Sequence, residues 1–222
     1  MISSPRNLAL AIQAGGFSLR MGRDKALLPF GGQPLIQHIA NRGKSLTNDV
    51  LVTTNQAELY RFLGLPLYPD QLAERGALIG MHTALTAAKR PLVAVIGCDM
   101  PFFSPRLLAC QARLLIKSRK EAVVPRSREG LEPLHGVYRR EPCLRAVHEA
   151  LELGIRSLGS WLKLLRALEI PEAQIRRLEP DSRIFLNVNT PEDYEQVKAL
   201  ADVSPPPGPR PHSEVSWWAG AA

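Results

Sequence analysis

The chain has 222 residues, 45% hydrophobic and 22% charged, with 28 Lys and Arg against 21 Asp and Glu for a formal net charge of +7. This is the composition of an ordinary globular protein with one substantial core; no apolar run approaches the roughly 20 residues that cross a bilayer, and the N-terminus lacks a secretory signal, so a cytoplasmic protein without membrane contact is expected. Aromatic residues make up only 6% and do not interleave with the short basic clusters Lys117–Lys120 and Arg139–Arg140, so the positive charge reads as a solvated surface, with small anionic ligands next and no nucleic-acid platform.

In chain order, Leu8–Ile12 reads as a buried strand that ends where glycines begin. Gly31 to Pro34 is a turn, and Pro34 suits the first position of a helix to about Gly43. Val50–Thr54 is a strand, Ala57–Leu63 helical, Leu67–Pro69 a brief strand, and Ala77–Lys89 helical. Pro91–Gly97 is the clearest buried strand, and Ser104 caps a helix that starts at Pro105 and runs toward Lys117. Glu121–Pro125 and Leu134–Tyr138 read as strands, Arg140–Leu153 and Leu158–Leu168 as helices, and Ile184–Val188 as a strand. Thr190 caps a last helix from Pro191. The cysteines Cys98, Cys110 and Cys143 are scattered, without metal-ligand spacing or a disulfide framework.

This alternation predicts an α/β fold: a three-layer, mostly parallel, Rossmann-like sheet with helices on both faces. Residues 1–203 form one domain, and Ser204–Ala222, rich in Pro and Gly and carrying Trp217 and Trp218, is expected to be a disordered tail. Ligands of such sheets sit beyond the carboxyl ends of strands, which the loops after Ile12 and Ile96 share.

The first of these loops is QAGGFSLRMGRDK, Gln13 to Lys25, with three glycines, two arginines and one lysine. Glycine lets backbone N–H groups close on an anion, while Arg20 and Lys25 add full charges that suit a triphosphate. It is neither a Walker loop, since five residues separate Gly16 from Gly22, nor a GxGxxG fingerprint. Asp99, at the end of the strongest strand, is a lone carboxylate of the kind Mg²⁺ uses beside phosphate oxygens; otherwise it is a loop or capping aspartate.

The string AGG-x-S-x-R-M-G-x-D-K-A-L-L-x-x-x-G-x-P-L-I from Ala14 to Ile36 resembles the signature of nucleotidyltransferases that act on small phosphorylated acceptors. With Cys98-Asp99-Met100-Pro101, the segment Glu132–Tyr138 and NVNTPED at Asn187–Asp193, it is most similar to the molybdenum cofactor guanylyltransferase family, over about Leu8 to Leu200. The resemblance implies GMP transfer from GTP to molybdopterin-type cofactor, with Mg²⁺ on Asp99 and direct attack of the acceptor phosphate on the α-phosphorus. It gives Arg20, Lys25 and Asp99 catalytic roles, and makes Gln13, Ala14, Gly15, Gly16, Lys25, Asp70 and Asp99 nucleotide contacts. Asn55, at the end of the second strand, is placed to contact the base, although the family often has an Asn two residues earlier, where this chain has Thr53. His135, Asn187 and Asn189 fall near the acceptor, although His135 also reads as an ordinary packed or surface side chain and Asn189 with Thr190 as a simple turn into the last helix. Arg126, Arg128 and Arg156 stand as solvated arginines or contacts of an anionic acceptor. The implied partners are GTP, the molybdenum cofactor, and molybdenum cofactor-handling proteins or target enzymes. A CTP-using or sugar-phosphate relative, or a non-catalytic binding relative, are the alternatives. Two other departures stand out: Gln13 replaces the family's usual leucine, and Arg75–Gly80 lacks the proline of the corresponding loop.

Overall fold

The computed structural model describes residues 7–15 and 24–201. Gly16, Arg20 and the 204–222 tail therefore lie outside the described residues. A seven-stranded sheet runs in the order β5-β4-β1-β6-β8-β7-β9. Its strands are β1 (Leu8–Gln13), β4 (Val50–Thr53), β5 (Leu67–Tyr68), β6 (Leu92–Gly97), β7 (Ala122–Pro125), β8 (His135–Arg139) and β9 (Ala167–Ile170). All neighbours pair parallel except β8, which is antiparallel to both β6 and β7. A small hairpin of β2 (Pro29–Phe30) and β3 (Gln33–Pro34) turns through Gly31 and Gly32, both with positive φ.

Alternation along β1 assigns each face. Leu8, Leu10 and Ile12 join a core shared with α1 (Leu35–Gly43), α4 (Pro105–Lys117), α7 (Glu172–Leu178) and α8 (Pro191–Ala201). Ala9 and Ala11 point the other way, to α3 (Ala77–Ala87), α5 (Arg140–Glu152) and α6 (Leu158–Leu162). The short α2 (Ala57–Tyr60) follows β4. The three-layer, mostly parallel architecture expected from the sequence is what forms, and Ser104 caps α4 as read, its side chain accepting from Leu107 N–H at 3.0 Å.

Two elements differ from the expectation. Ile184–Val188 is not a strand: Asp181 caps a 3-10 turn (Ser182–Phe185), and the chain beyond it stays outside the sheet. The helix read over Leu158–Leu168 ends at Leu162, and Ala167–Ile170 becomes β9 beside β7. Both segments carry enough apolar residues for either state, and packing chose between them.

Candidate active site

The parallel strands bring Gln13, Thr53, Asp70 and Asp99 to one edge of the sheet. Backbone bonds carry the ladder to that edge: Ala14 N–H donates to Thr53 O at 2.8 Å, Thr54 N–H to Tyr68 O at 2.9 Å and Cys98 N–H to Gln13 O at 3.0 Å. A cleft of about 350 Å³ opens there, lined by Gln13, Gly15, Lys25, Asp70, Gly76 and Asp99 among others. Gly76 at the start of α3 has φ +142°, a conformation that favours glycine.

At the β6 side of the cleft, Lys25 Nζ lies 2.5 Å from Asp99 Oδ2 and 3.1 Å from Asn189 Oδ1. Only 15% of the lysine side chain and 18% of the aspartate side chain are exposed, so the pair is largely shielded from solvent. The sequence separations of 74 and 164 residues show that the fold, rather than local structure, makes this cluster. Three devices hold it. Asp24 caps the 3-10 turn Lys25–Leu27 by accepting from Ala26 N–H at 3.0 Å, and its other carboxylate oxygen accepts from the Tyr60 hydroxyl. Val188 N–H donates to Asp99 O at 2.9 Å, tying the NVN segment to the end of β6. Gly97 leaves space for the Asp99 carboxylate, because a Cβ there would overlap Asp99 Oδ1.

At the β4 side, Asn55 and Asp70 bond reciprocally: Asn55 Nδ2 donates to Asp70 Oδ2 at 2.9 Å and Asp70 N–H to Asn55 Oδ1 at 2.8 Å. Thr83 Oγ1 donates to Asp70 Oδ1 at 2.6 Å. Asp70 therefore lines the cleft in a fixed orientation, and Asn55 braces it from an exposed position. Gln13 continues the Ala9–Ala11 face toward α3, its Oε1 only 2.8 Å from where a Cβ on Gly80 would sit. Its Nε2 is buried with no hydrogen-bond partner among the described residues.

Several expectations are refined. Ala14 uses its amide in the sheet, so it is not among the loop N–H groups open to an anion. Asn187 is half-buried, and because its segment is not a strand, alternation does not place it beside Asn189. His135 is fully buried rather than facing an acceptor: its Nε2 accepts from Ser104 N–H at 3.1 Å and its ring packs against Phe103 and Phe185. Burial lowers its pKa to about 4, so it is a neutral core group. Arg126, Arg128 and Arg156 pair with Glu169, Glu172 and Glu74. Sequence reading missed Tyr60, Thr83 and Gly97, whose contacts with Asp24, Asp70 and Asp99 only the tertiary structure reveals.

The MobA-like NTP transferase domain matches residues 10–170. A probable molybdenum cofactor guanylyltransferase of Pelotomaculum thermopropionicum is 35% identical over 87% of this chain and 93% of its own. A molybdenum cofactor guanylyltransferase of Syntrophotalea carbinolica is 34% identical over 83% of this chain and 88% of its own. The crystal structure of molybdopterin-guanine dinucleotide biosynthesis protein A from Archaeoglobus fulgidus superposes with a TM-score of 0.76 at 22% identity, covering 86% of this chain and 97% of the other, which shows the shared fold. The chain belongs to the MobA-like family of molybdenum cofactor guanylyltransferases, and is a nucleotidyltransferase by that membership.

Proposed function

We propose that the protein transfers GMP from GTP to the terminal phosphate of a molybdopterin-type cofactor. The acceptor phosphate oxygen bonds to the α-phosphorus, the bond from that phosphorus to the bridging oxygen breaks, and pyrophosphate leaves with the electron pair. The observation that carries this reading is the Lys25–Asp99–Asn189 cluster at the carboxyl edge of the sheet, with Lys25 and Asp99 lining the same cleft as Gly15. No protein nucleophile is needed: catalysis is positioning and charge neutralisation. Lys25, with Arg20 and the loop amides of Gly15 and Gly16, supports the departing phosphates. The nucleotide base extends toward Gln13 and the Asn55–Asp70 pair, where hydrogen-bonding groups line the cleft with Arg75 beside them.

The donor set fits magnesium. The described residues contain no group of three or more His, Cys, Asp or Glu that would favour a transition metal, whereas a lone carboxylate beside phosphate oxygens is the usual magnesium arrangement. Asp99 would hold the ion, which when bound neutralises phosphate charge and polarises the reacting centre. Among the described residues no helix is long and apolar enough to cross a membrane. The proposed setting is the cytoplasm, with the product passed to cofactor-handling proteins or target enzymes.

Pyrophosphate release from GTP, CTP, ATP and UTP, each with and without molybdopterin and Mg²⁺, tests this reading. Release that requires GTP, acceptor and metal together is the expected result. Preference for CTP, or nucleotide binding without release, would replace it with a cytidylyl-transferring or a non-catalytic reading.

A further inference from the structure

A second cleft, of about 530 Å³, opens at the same edge of the sheet over β7, β8 and β9. Because β8 is antiparallel to β6, with His135 paired to Ile96, the segment leading into β8 arrives beside the end of β6. Leu134 of that segment lines the first cleft, and Glu132 lines the second. The chain joins them again further on: Leu186 lines the second cleft, while Asn189 contacts Lys25 at 3.1 Å. Three residues of extended chain reach at most about 10 Å, so the two clefts are within one small molecule of each other.

The chemistry of the second cleft is opposite to that at Lys25. Its arginines Arg128 and Arg176 are both engaged by Glu172, at 3.2 and 2.6 Å. Glu132 is half-buried, and Ser127 Oγ donates to its Oε1 at 2.6 Å. No lysine, arginine or histidine among the described residues forms an ion pair with it, and its charged neighbour is another carboxylate, Glu129. Ile175, Ile184, Phe185 and Leu186 supply an apolar wall. An anion would be repelled here. A flat ring with adjacent N–H donors would find both a stacking surface and an acceptor with lone pairs to spare.

We propose that this second cleft holds the ring system of the acceptor, with Glu132 accepting hydrogen bonds from the neighbouring 2-amino and N3–H groups of a pterin while the acceptor phosphate extends past Leu186 to Lys25 and Asp99. This rests on the acceptor reading above and adds a site and a polarity: carboxylate at the ring end, cation at the phosphate end. The orientation delivers the phosphate to the reacting centre.

The probes are 6-hydroxymethylpterin, followed by its own fluorescence, and 6-hydroxymethyllumazine, in which a 2-oxo group replaces the 2-amino donor. Titrated into the full chain, the pterin should bind about tenfold or more tighter than the lumazine, and Glu132→Gln should weaken pterin binding by about tenfold, the scale of one hydrogen bond to a charged group. Equal affinity for the two probes in the unsubstituted chain, a comparison that needs no variant, overturns the proposal. So does a folded Glu132→Gln protein that binds the pterin unchanged. The nucleotide reading is scored apart, by GTP-dependent pyrophosphate release from the unsubstituted chain, so either can fail without the other.

Discussion

The Tyr60 hydroxyl donates to Asp24, the residue that caps the turn on which Lys25 stands. Tyr60 is only 2% exposed, and burial, with the Asp24 hydrogen bond adding to it, raises its pKa far beyond the working range, so it remains a donor throughout. Tyr60→Phe should cost about 1.5–3 kcal/mol in denaturant unfolding, the worth of one hydrogen bond to a carboxylate. It should also lower kcat/KM for GTP by about tenfold, because the Lys25 turn loses its brace. Unchanged kcat/KM in a destabilised variant would reduce Tyr60 to a core residue with no hold on the site.

Lys25→Ala removes the cation that pairs with Asp99 at 2.5 Å. By analogy with deleting one preorganised donor, transition-state stabilisation should fall by about 2–4 kcal/mol. Steady-state pyrophosphate release measures this. A loss confined to KM would assign Lys25 to uniform substrate binding instead.

Gly97→Ala tests the space that glycine leaves under Asp99. The new Cβ would overlap Asp99 Oδ1, the free end of a side chain, so the carboxylate must swing away while the strand survives. A thermal midpoint close to that of the unsubstituted protein, together with at least about tenfold weaker Mg²⁺ activation, is expected. Normal Mg²⁺ dependence would show that the position of this carboxylate is not critical.

The buried His135 gives a pH dependence with a defined sign. Its folded pKa is about 4 against an ordinary 6.5, so the unfolded chain binds more protons between those values. The resulting stability is fully present above pH 6.5 and is lost as pH falls toward 4. His38 and His82 are also lowered, chiefly by burial, and act in the same direction. Urea midpoints measured down this range should fall, and His135→Gln should flatten the slope; an identical slope in the variant would remove His135 as its source.

The sequence disclosed the parts of the site that share a local grammar. Hydrophobic runs marked β1 and β6, and chain order alone put Asp99 at the end of β6 near the first glycine loop. Ser104 followed by Pro105 located the start of α4 for the same reason, a cap whose partners lie within one turn. What stayed hidden depends on distant partners. Tyr60 meets Asp24 across 36 residues, and Asn189 meets Lys25 across 164. His135 read either as an acceptor contact or as an ordinary packed or surface side chain, and the contacts that decide between them come from two distant segments, Phe103–Ser104 and Phe185. The Ser182–Phe185 turn replaced the expected strand because Asp181 accepts from Arg183 N–H at 3.0 Å and also engages its guanidinium.

GMP transfer by Asp99→Asn is the most direct measurement of whether Lys25 and Asp99 form the reacting centre. The substitution keeps the side-chain shape and removes the charge that pairs with Lys25 at 2.5 Å. With GTP, molybdopterin and Mg²⁺ supplied, a folded Asp99→Asn protein should release pyrophosphate at least about 100-fold more slowly than the unsubstituted chain. Turnover near the unsubstituted rate would place the chemistry elsewhere.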